Sequence, residues 1–222
     1  MKTNRVNPLR RGFTLLEMMI VIMIIGILST FLVVSAPGWL DKANMTASEA
    51  NMKRIHATLL EYQSNHSGSW PRETGQRFFL KPWKDGMVEK VEQQAKMYFS
   101  PSEPFGDIIY MAGMDEEDID IVDYLEDWDA IGPGYTSYAG FDHGGDKAMV
   151  ANLRKNPGST AIVSDAHMIH RTALLYMTAD GTPHRLLRAD IEEELGISFD
   201  DGDDLEVGPG CGIEVLETVS NN

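Results

Sequence analysis

Cysteine and basic side chains are scarce in this sequence. Cys211 is the only cysteine among 222 residues, so no intrachain disulfide can form. Asp and Glu number 34 against 19 Lys and Arg, which gives a formal net charge of −15. Because such a surface repels nucleic acid and anionic lipid headgroups, we expect no nucleic-acid partner. The length allows one soluble domain with its own core, plus a separate helical or membrane element.

Sequence signatures of enzymes are also missing. The chain has no Gly-x-Ser-x-Gly nucleophile turn, no glycine-rich phosphate loop and no zinc-ligand spacing. Catalysis would need a pocket with convergent polar side chains, for example around His143, His167 or His170. The sequence therefore predicts a protein without enzymatic activity and without catalytic residues.

The basic residues that do occur are unevenly distributed. Four of them precede the first acidic residue: Lys2, Arg5, Arg10 and Arg11. The run 13–34 that follows is apolar and carries one charge, Glu17. As a helix with a rise of about 1.5 Å per residue, this run spans roughly 33 Å, enough to cross a hydrocarbon core of roughly 30 Å. The basic flank places the N-terminus in the cytoplasm and the remainder of the chain outside.

Three simple interpretations of this segment leave Glu17 unexplained. The first is a plain membrane anchor. The second is a secretory signal cut after 34–36, although Pro37 should block that cut. The third is a twin-arginine export signal at 10–11, but the run that follows is very apolar and contains an early acid. Since a carboxylate in a membrane helix costs about 2.5–3.5 kcal/mol on insertion scales and is usually functional, we favour an interpretation that gives Glu17 a role.

Residues 10–17, Arg-Arg-Gly-Phe-Thr-Leu-Leu-Glu, resemble the cleavage and methylation motif of type IV prepilins and type II secretion pseudopilins. The similarity includes the small Gly12 before the cut, the aromatic Phe13 after it and Glu17 at the fifth mature position. The resemblance implies that a prepilin peptidase/methyltransferase cuts between Gly12 and Phe13 and N-methylates Phe13. The new cationic amine can then neutralise Glu17 of a neighbouring subunit in a medium of low dielectric constant.

The same resemblance implies a fold, a location and a set of partners. The fold is α+β, a long N-terminal helix packed on a small antiparallel sheet. The implied segments are a cleaved leader 1–12, a transmembrane and polymerisation helix 13–36, an amphipathic helix 37–66 and an extracytoplasmic domain 67–222. Loss of the leader leaves 15 basic and 34 acidic residues, a formal charge of −19.

The chain is expected to start as a single-pass inner-membrane protein, N-terminus inside, and to end in a periplasmic or cell-surface filament. Its partners are the peptidase, other copies of itself or other pilins, and an inner-membrane assembly platform. The motif leaves two choices open: pilus or secretion pseudopilus, and main subunit or minor tip-located adhesin or substrate-binding module.

The segment 37–66 has helical periodicity. Apolar residues recur on one face: Met45, Met52, Ile55, Leu59 and Tyr62. Pro37 removes a backbone donor and should kink or loosen the helix, or mark the end of the membrane span. The stretch 59–71, which has a tyrosine before a glycine and a Trp-Pro pair, resembles the helix exit of major pseudopilins.

The remainder reads as a turn-rich region followed by strands. Residues 71–135 contain several prolines and predict short helices and loops. Strand patterns occupy 160–164, 172–178 and 184–187, and Asp180-Gly181 between two of them predicts a hairpin turn.

His170, nine further residues and Asp180-Gly181 resemble the His-X9-Asp-Gly segment of many prepilin-like proteins, although Thr182 stands where a histidine is common. A polar contact at the start of a strand and a tight turn would explain these residues. A catalytic or metal role has no third ligand or nucleophile to support it.

Calcium is the one candidate cofactor. Hard oxygen ligands cluster around a glycine at Asp200, Asp201, Asp203 and Asp204, without the spacing of an EF-hand. Some pseudopilins stabilise their fold with a C-terminal calcium loop, so the resemblance points in the same direction. The alternative is an exposed acidic loop. The acidic stretch 115–129 shows no fixed ligand spacing and predicts a solvated helix or loop.

Overall fold

The computed structural model describes residues 13–114, 119–201 and 204–222, and the side chains of 31, 32, 34, 35 and 201 lie outside that description. Contacts divide the chain into two units, Met1–Leu40 and Asp41–Asn222. The helices are α1 (Leu15–Asn65), α2 (Gln76–Lys84), α3 (Glu92–Ala95), α4 (Phe105–Met111), α5 (Ile121–Glu126), α6 (Lys147–Lys155) and α7 (Arg188–Leu195). Short 3₁₀ helices cover Lys96–Tyr98, Phe199–Asp201 and Glu214–Thr218. The strands are β1 (Tyr138–Phe141), β2 (Ala161–Asp165), β3 (Ala173–Thr178), β4 (Pro183–Leu187) and β5 (Val219–Ser220).

The N-terminal unit contains the beginning of α1. The helix does not end at Pro37, which lies inside it. The apolar side chains of this unit are exposed in the single chain, Phe13 by 80% and Leu15 by 79%. Among the described residues, no helix combines the length and the apolarity needed to cross a membrane. The predicted span 13–36 includes four of the residues whose side chains lie outside the description.

The second unit is built around a sheet in which every pair of neighbouring strands is antiparallel. Its strand order within the described residues is β4-β3-β2-β1-β5. A long helix with a small antiparallel sheet confirms the predicted α+β fold. β2, β3 and β4 occupy the predicted strand positions, and the tight turn at Asp180-Gly181 joins the last two.

The two faces of the sheet bury different sets of apolar side chains, since successive residues of a strand point to opposite faces. On one face, Leu175 and Met177 of β3 belong to the main core together with α2 and part of α1. On the other face, Leu174 packs against the C-terminal segment. The predicted apolar face of α1 is buried in the second unit: Met45, Met52, Ile55, Leu59 and Tyr62.

The structure contains two strands and one ion pair that the sequence patterns do not predict. β1 and β5 were not predicted, because β1 contains a glycine and β5 is two residues long, so neither has a clear strand pattern. Glu49 of α1 pairs with Arg185 of β4, with 2.6 Å between Oε1 and Nε. Lys53 stands four residues after Glu49 on the same helix, a spacing that allows an ion pair, but the partner of Glu49 comes from the sheet, 136 residues away along the chain.

Candidate functional site

The first turn of α1 is closed by a reciprocal pair of hydrogen bonds. Thr14 precedes the helix, and its hydroxyl accepts from the Glu17 backbone N–H at 3.1 Å. The Glu17 carboxylate accepts from the Thr14 backbone N–H at 2.7 Å. This is a capping box, in which a Thr and a Glu three residues later satisfy two free N–H groups of the helix start. Glu17 therefore has a structural function at this end besides any role in assembly.

The predicted cleavage site lies at the edge of the described chain. Phe13 is described and exposed, whereas Gly12 and the whole leader 1–12 lie outside the described residues. The cut between Gly12 and Phe13 stays a prediction. It would fall one residue before the Thr14 cap, so the processed chain would keep the capping box.

His170 lies directly before β3 in a buried polar cluster, with 2% of its surface exposed. Its Nδ1 is 3.1 Å from Ser102 Oγ and 3.9 Å from an Asp41 carboxylate oxygen. Its Nε2 is 3.9 Å from Asp165 Oδ2 and has no hydrogen-bond partner within the described residues. One imidazole thus lies between a carboxyl group of α1 and a carboxyl group of β2.

Asp41 connects α1 to the segment that leads into β3. Its buried carboxylate accepts from the Arg171 backbone N–H at 2.9 Å and from the Thr172 hydroxyl at 2.8 Å. Asp41 is not among the residues that the sequence motifs single out. Its position does predict a buried contact, because Asp41 stands four residues before Met45 and so shares the apolar face of the helix. A polar residue on such a face needs a partner, and here the partners lie in the strand segment.

The electrostatics of the cluster favour neutral groups. Burial raises the pKa of Asp165 well above its ordinary value, and the hydrogen bond from the Leu175 backbone N–H, at 2.8 Å, opposes this only in part. Burial lowers the pKa of His170, against the attraction of Asp41. Ser102, His170 and Asp165 stand in the order of a hydrolase triad. However, the 3.9 Å gap and the raised carboxyl pKa do not let Asp165 orient and polarise the imidazole as that mechanism requires.

The two other histidines singled out by sequence, His143 and His167, each contact other groups of the domain. His143 Nε2 lies 3.0 Å from the Arg72 carbonyl oxygen, and its Nδ1 accepts from the Gly145 N–H at 3.0 Å. Both ring nitrogens of His143 are therefore committed to backbone. His167 Nε2 lies 3.1 Å from Glu103 Oε1, a contact that raises the pKa of His167.

The Asp180-Gly181 turn also contacts α1. The Asp180 carboxylate accepts from the Thr178 hydroxyl at 2.6 Å and from the Thr182 N–H at 3.0 Å. Gly181 has a φ of +83°, and a Cβ at this position would stand 2.7 Å from the His56 ring. The histidine and the Asp-Gly pair thus lie at opposite ends of β3, and each packs against α1. The nine residues between them contain β3, so the length of the strand sets their spacing.

Replacing Gly181 by alanine is expected to destabilise the domain by about 2–5 kcal/mol. The left-handed backbone costs a side chain about 1–2 kcal/mol, and forcing a methyl group against His56 adds about 1–3 kcal/mol. The measurement is thermal unfolding followed by tryptophan fluorescence. Gly86→Ala is the matched control, since Gly86 has a φ of +71° and no atom within 4 Å of a built Cβ. Equal losses in the two variants would contradict a role for the contact with α1.

The predicted calcium ligands are only partly described. Asp200 pairs with Arg188 at 2.7 Å, and the Asp204 carboxylate accepts from the Leu205 N–H at 2.8 Å. Asp203 and the side chain of Asp201 lie outside the described residues. Over the described ranges, no group of three or more His, Cys, Asp or Glu side chains is arranged to hold a metal ion. The calcium site stays a prediction.

Comparisons with known proteins place this chain in a family. The prokaryotic N-terminal methylation motif matches residues 7–33. The type II secretion system core protein G of Klebsiella michiganensis is 32% identical over 98 residues, which cover 44% of this chain and 69% of that protein. The chain belongs to the type IV pilin-like family. The type IV major pilin protein PilE of Neisseria gonorrhoeae is 41% identical to this pilin-like chain over 70 residues, 30% of the chain and 40% of PilE. No solved structure matches it.

Family membership explains the N-terminal segment of this pilin-like protein but not the features of its domain. The matched motif covers residues 7–12 of the predicted leader, the Thr14–Glu17 capping box and most of the apolar run. The relatives are a type II secretion system core protein and a type IV major pilin. The buried cluster around His170 lies well beyond the matched motif, so its interpretation depends on the structure.

Proposed function

We propose that this pilin-like chain is a structural subunit of a type IV pilus or a type II secretion pseudopilus. In this proposal, a prepilin peptidase removes residues 1–12 and methylates Phe13. The chain inserts once into the inner membrane, N-terminus inside, and leaves it when a membrane assembly platform adds the subunit to a filament. The domain needs no catalytic activity in this role.

The observation that carries the proposal is one carboxylate at the start of an exposed apolar helix. Residues 13–34 carry Glu17 as their only charge, and the described apolar side chains of this run have no partner in the single chain. Such a surface needs lipid or other copies of the same helix around it. Within either, Glu17 needs a cation, and the amine created at Phe13 by cleavage is the nearest chemical candidate.

Mass spectrometry of the mature chain tests the processing step. We expect a protein that begins at Phe13 and carries one added methyl group on its amine. The variant Gly12→Val, which puts a bulky residue before the cut, should retain the leader. A mature chain that begins elsewhere, or a Gly12→Val variant processed like the unaltered chain, would contradict the proposal.

A minor subunit at the filament tip, acting as an adhesin or a substrate-binding module, is the alternative within the same family. Immunogold labelling of sheared filaments separates the two. A main subunit is labelled along the whole filament, whereas a tip subunit is labelled at one end.

A further inference from the structure

Three cationic side chains surround one pocket in the Asp41–Asn222 unit. The pocket has a volume of about 540 Å³, and its wall includes Arg72, Lys147 and Arg154 beside the apolar Trp70 and Val150. We call it the cationic pocket. Lys147 begins α6 and Arg154 is near its end, while Arg72 comes from the loop before α2. A volume of this size accommodates one or two side chains of a partner.

Cationic side chains outnumber acidic side chains on the wall of this pocket. In the described parts of the chain, none of the three cationic side chains forms a salt bridge, and Arg154 donates to the Gly68 carbonyl oxygen. The acidic residue on the wall, Asp146, accepts from the Ala148 N–H at 2.7 Å and caps α6. The carboxylate keeps its charge, so the wall carries three cationic side chains against one acidic side chain.

The domain as a whole has the opposite sign. Residues 41–222 contain 15 basic and 33 acidic side chains, a formal charge of −18. Identical domains brought side by side in a filament repel one another, because like charges at short range are unfavourable. A cationic pocket on each copy offsets part of this repulsion if a carboxylate of the next copy reaches it.

We propose that the cationic pocket receives an exposed carboxylate from a neighbouring copy of the chain. The inference deepens the proposed function and rests on it. A second copy is the favoured occupant because its surface offers a surplus of carboxylates, and some of them alternate with apolar residues. The segment 119–129 is one such stretch, and its exposed acids include Asp123 and Asp129. An acid next to an apolar side chain matches a wall that combines cations with Trp70 and Val150.

Charge reversal in the full chain tests the contact. The double variant Arg72→Glu/Lys147→Glu is expected to weaken subunit association about tenfold, or about 1.4 kcal/mol, because it removes two partly exposed ion pairs. Filament yield after shearing is the readout. Rising salt should weaken filaments of the unaltered chain and have little further effect on the double variant.

Lys155→Glu is the matched control, because Lys155 is on the same helix, carries the same charge and does not line the pocket. The control should keep the yield of the unaltered chain. Lys147→Arg, which retains the charge, should also keep it. Equal yields and equal salt dependence for the double variant and the control would overturn the inference and leave the proposed function standing.

Site-specific cross-linking identifies the occupant. Ser69 is an exposed residue on the pocket wall, and a benzoylphenylalanine at this position should trap a second copy on illumination. The same probe at Lys155 should not. Peptide mapping should join the pocket to an Asp- or Glu-containing segment of the same chain. Adducts only with lipid, polysaccharide or another protein, or no adduct, would overturn the inference. If the unaltered chain forms no filaments, the proposed function fails, and the cross-link alone then decides the inference.

Discussion

Replacing Glu17 by glutamine is expected to abolish filament assembly while the chain still inserts into the membrane and α1 still begins at the same residue. Glutamine can accept the Thr14 N–H bond in the capping box as glutamate does, but it has no charge to meet the Phe13 amine of a neighbour. Leaving one partner of a buried ion pair alone costs about 3–5 kcal/mol, which is more than a hundredfold in each subunit contact. Electron microscopy and the yield of sheared filaments measure the effect.

Two further variants separate the charge of Glu17 from its place in the capping box. Glu17→Ala removes both and should lose assembly as Glu17→Gln does. Thr14→Ala removes only the hydroxyl that caps the Glu17 N–H, a loss of about 1 kcal/mol at the helix start. It should reduce assembly slightly. If Glu17→Gln assembles normally and Thr14→Ala does not, the carboxylate acts through the cap, and the assembly role proposed for its charge is wrong.

Replacing Asp165 by asparagine is expected to stabilise the domain, and the gain should grow as the pH rises. An unfolded chain releases this proton at a pKa of about 3.9, whereas burial raises the pKa of Asp165 in the folded domain. Folding therefore takes up a proton between these two values. Over that window, this group lowers the free energy of unfolding by about 1.4 kcal/mol for each pH unit of increase. Asparagine is neutral throughout and keeps an acceptor for the Leu175 N–H.

His170 has the opposite pH dependence. Burial lowers its pKa, so the folded domain binds fewer protons than the unfolded chain, and stability falls as the pH drops from about 6.5 through the lowered value. Where the two pH windows overlap, the effects of Asp165 and His170 on stability oppose each other. Of these two effects, Asp165→Asn should keep only that of His170.

Thermal unfolding at a series of pH values, with the detergent-solubilised chain, distinguishes these effects. Asp180→Asn is the control, because hydrogen bonds from Thr178 and Thr182 lower the pKa of Asp180. Stability from that carboxylate is present above about 3.9 and is lost in acid, so this variant should run parallel to the unaltered chain at higher pH. A melting curve of Asp165→Asn that also runs parallel to it would contradict a protonated Asp165.

The His-X9-Asp-Gly segment shows which features a sequence pattern can predict and which it cannot. The sequence supplied the spacing and a structural interpretation, a strand-start contact for His170 and a tight turn at Asp180-Gly181. The structure shows in addition that both ends of the segment contact α1: His170 lies beside Asp41, and Gly181 lies against His56. Residues more than 120 positions apart make these contacts, and no local periodicity reports them.

The sequence by itself determined the α+β fold, the apolar face of α1, the three central strands with their hairpin turn, and the prepilin-like start. Each of these is encoded locally, in a period of 3.6 or 2, in an Asp-Gly turn or in a short motif. Tertiary structure alone decided the short outer strands, the neutral cluster of Asp165 and His170, and the gathering of Arg72, Lys147 and Arg154 around one pocket. These features arise when distant segments pack together, because burial changes the pKa of a group and proximity creates a charged surface only after the chain has folded.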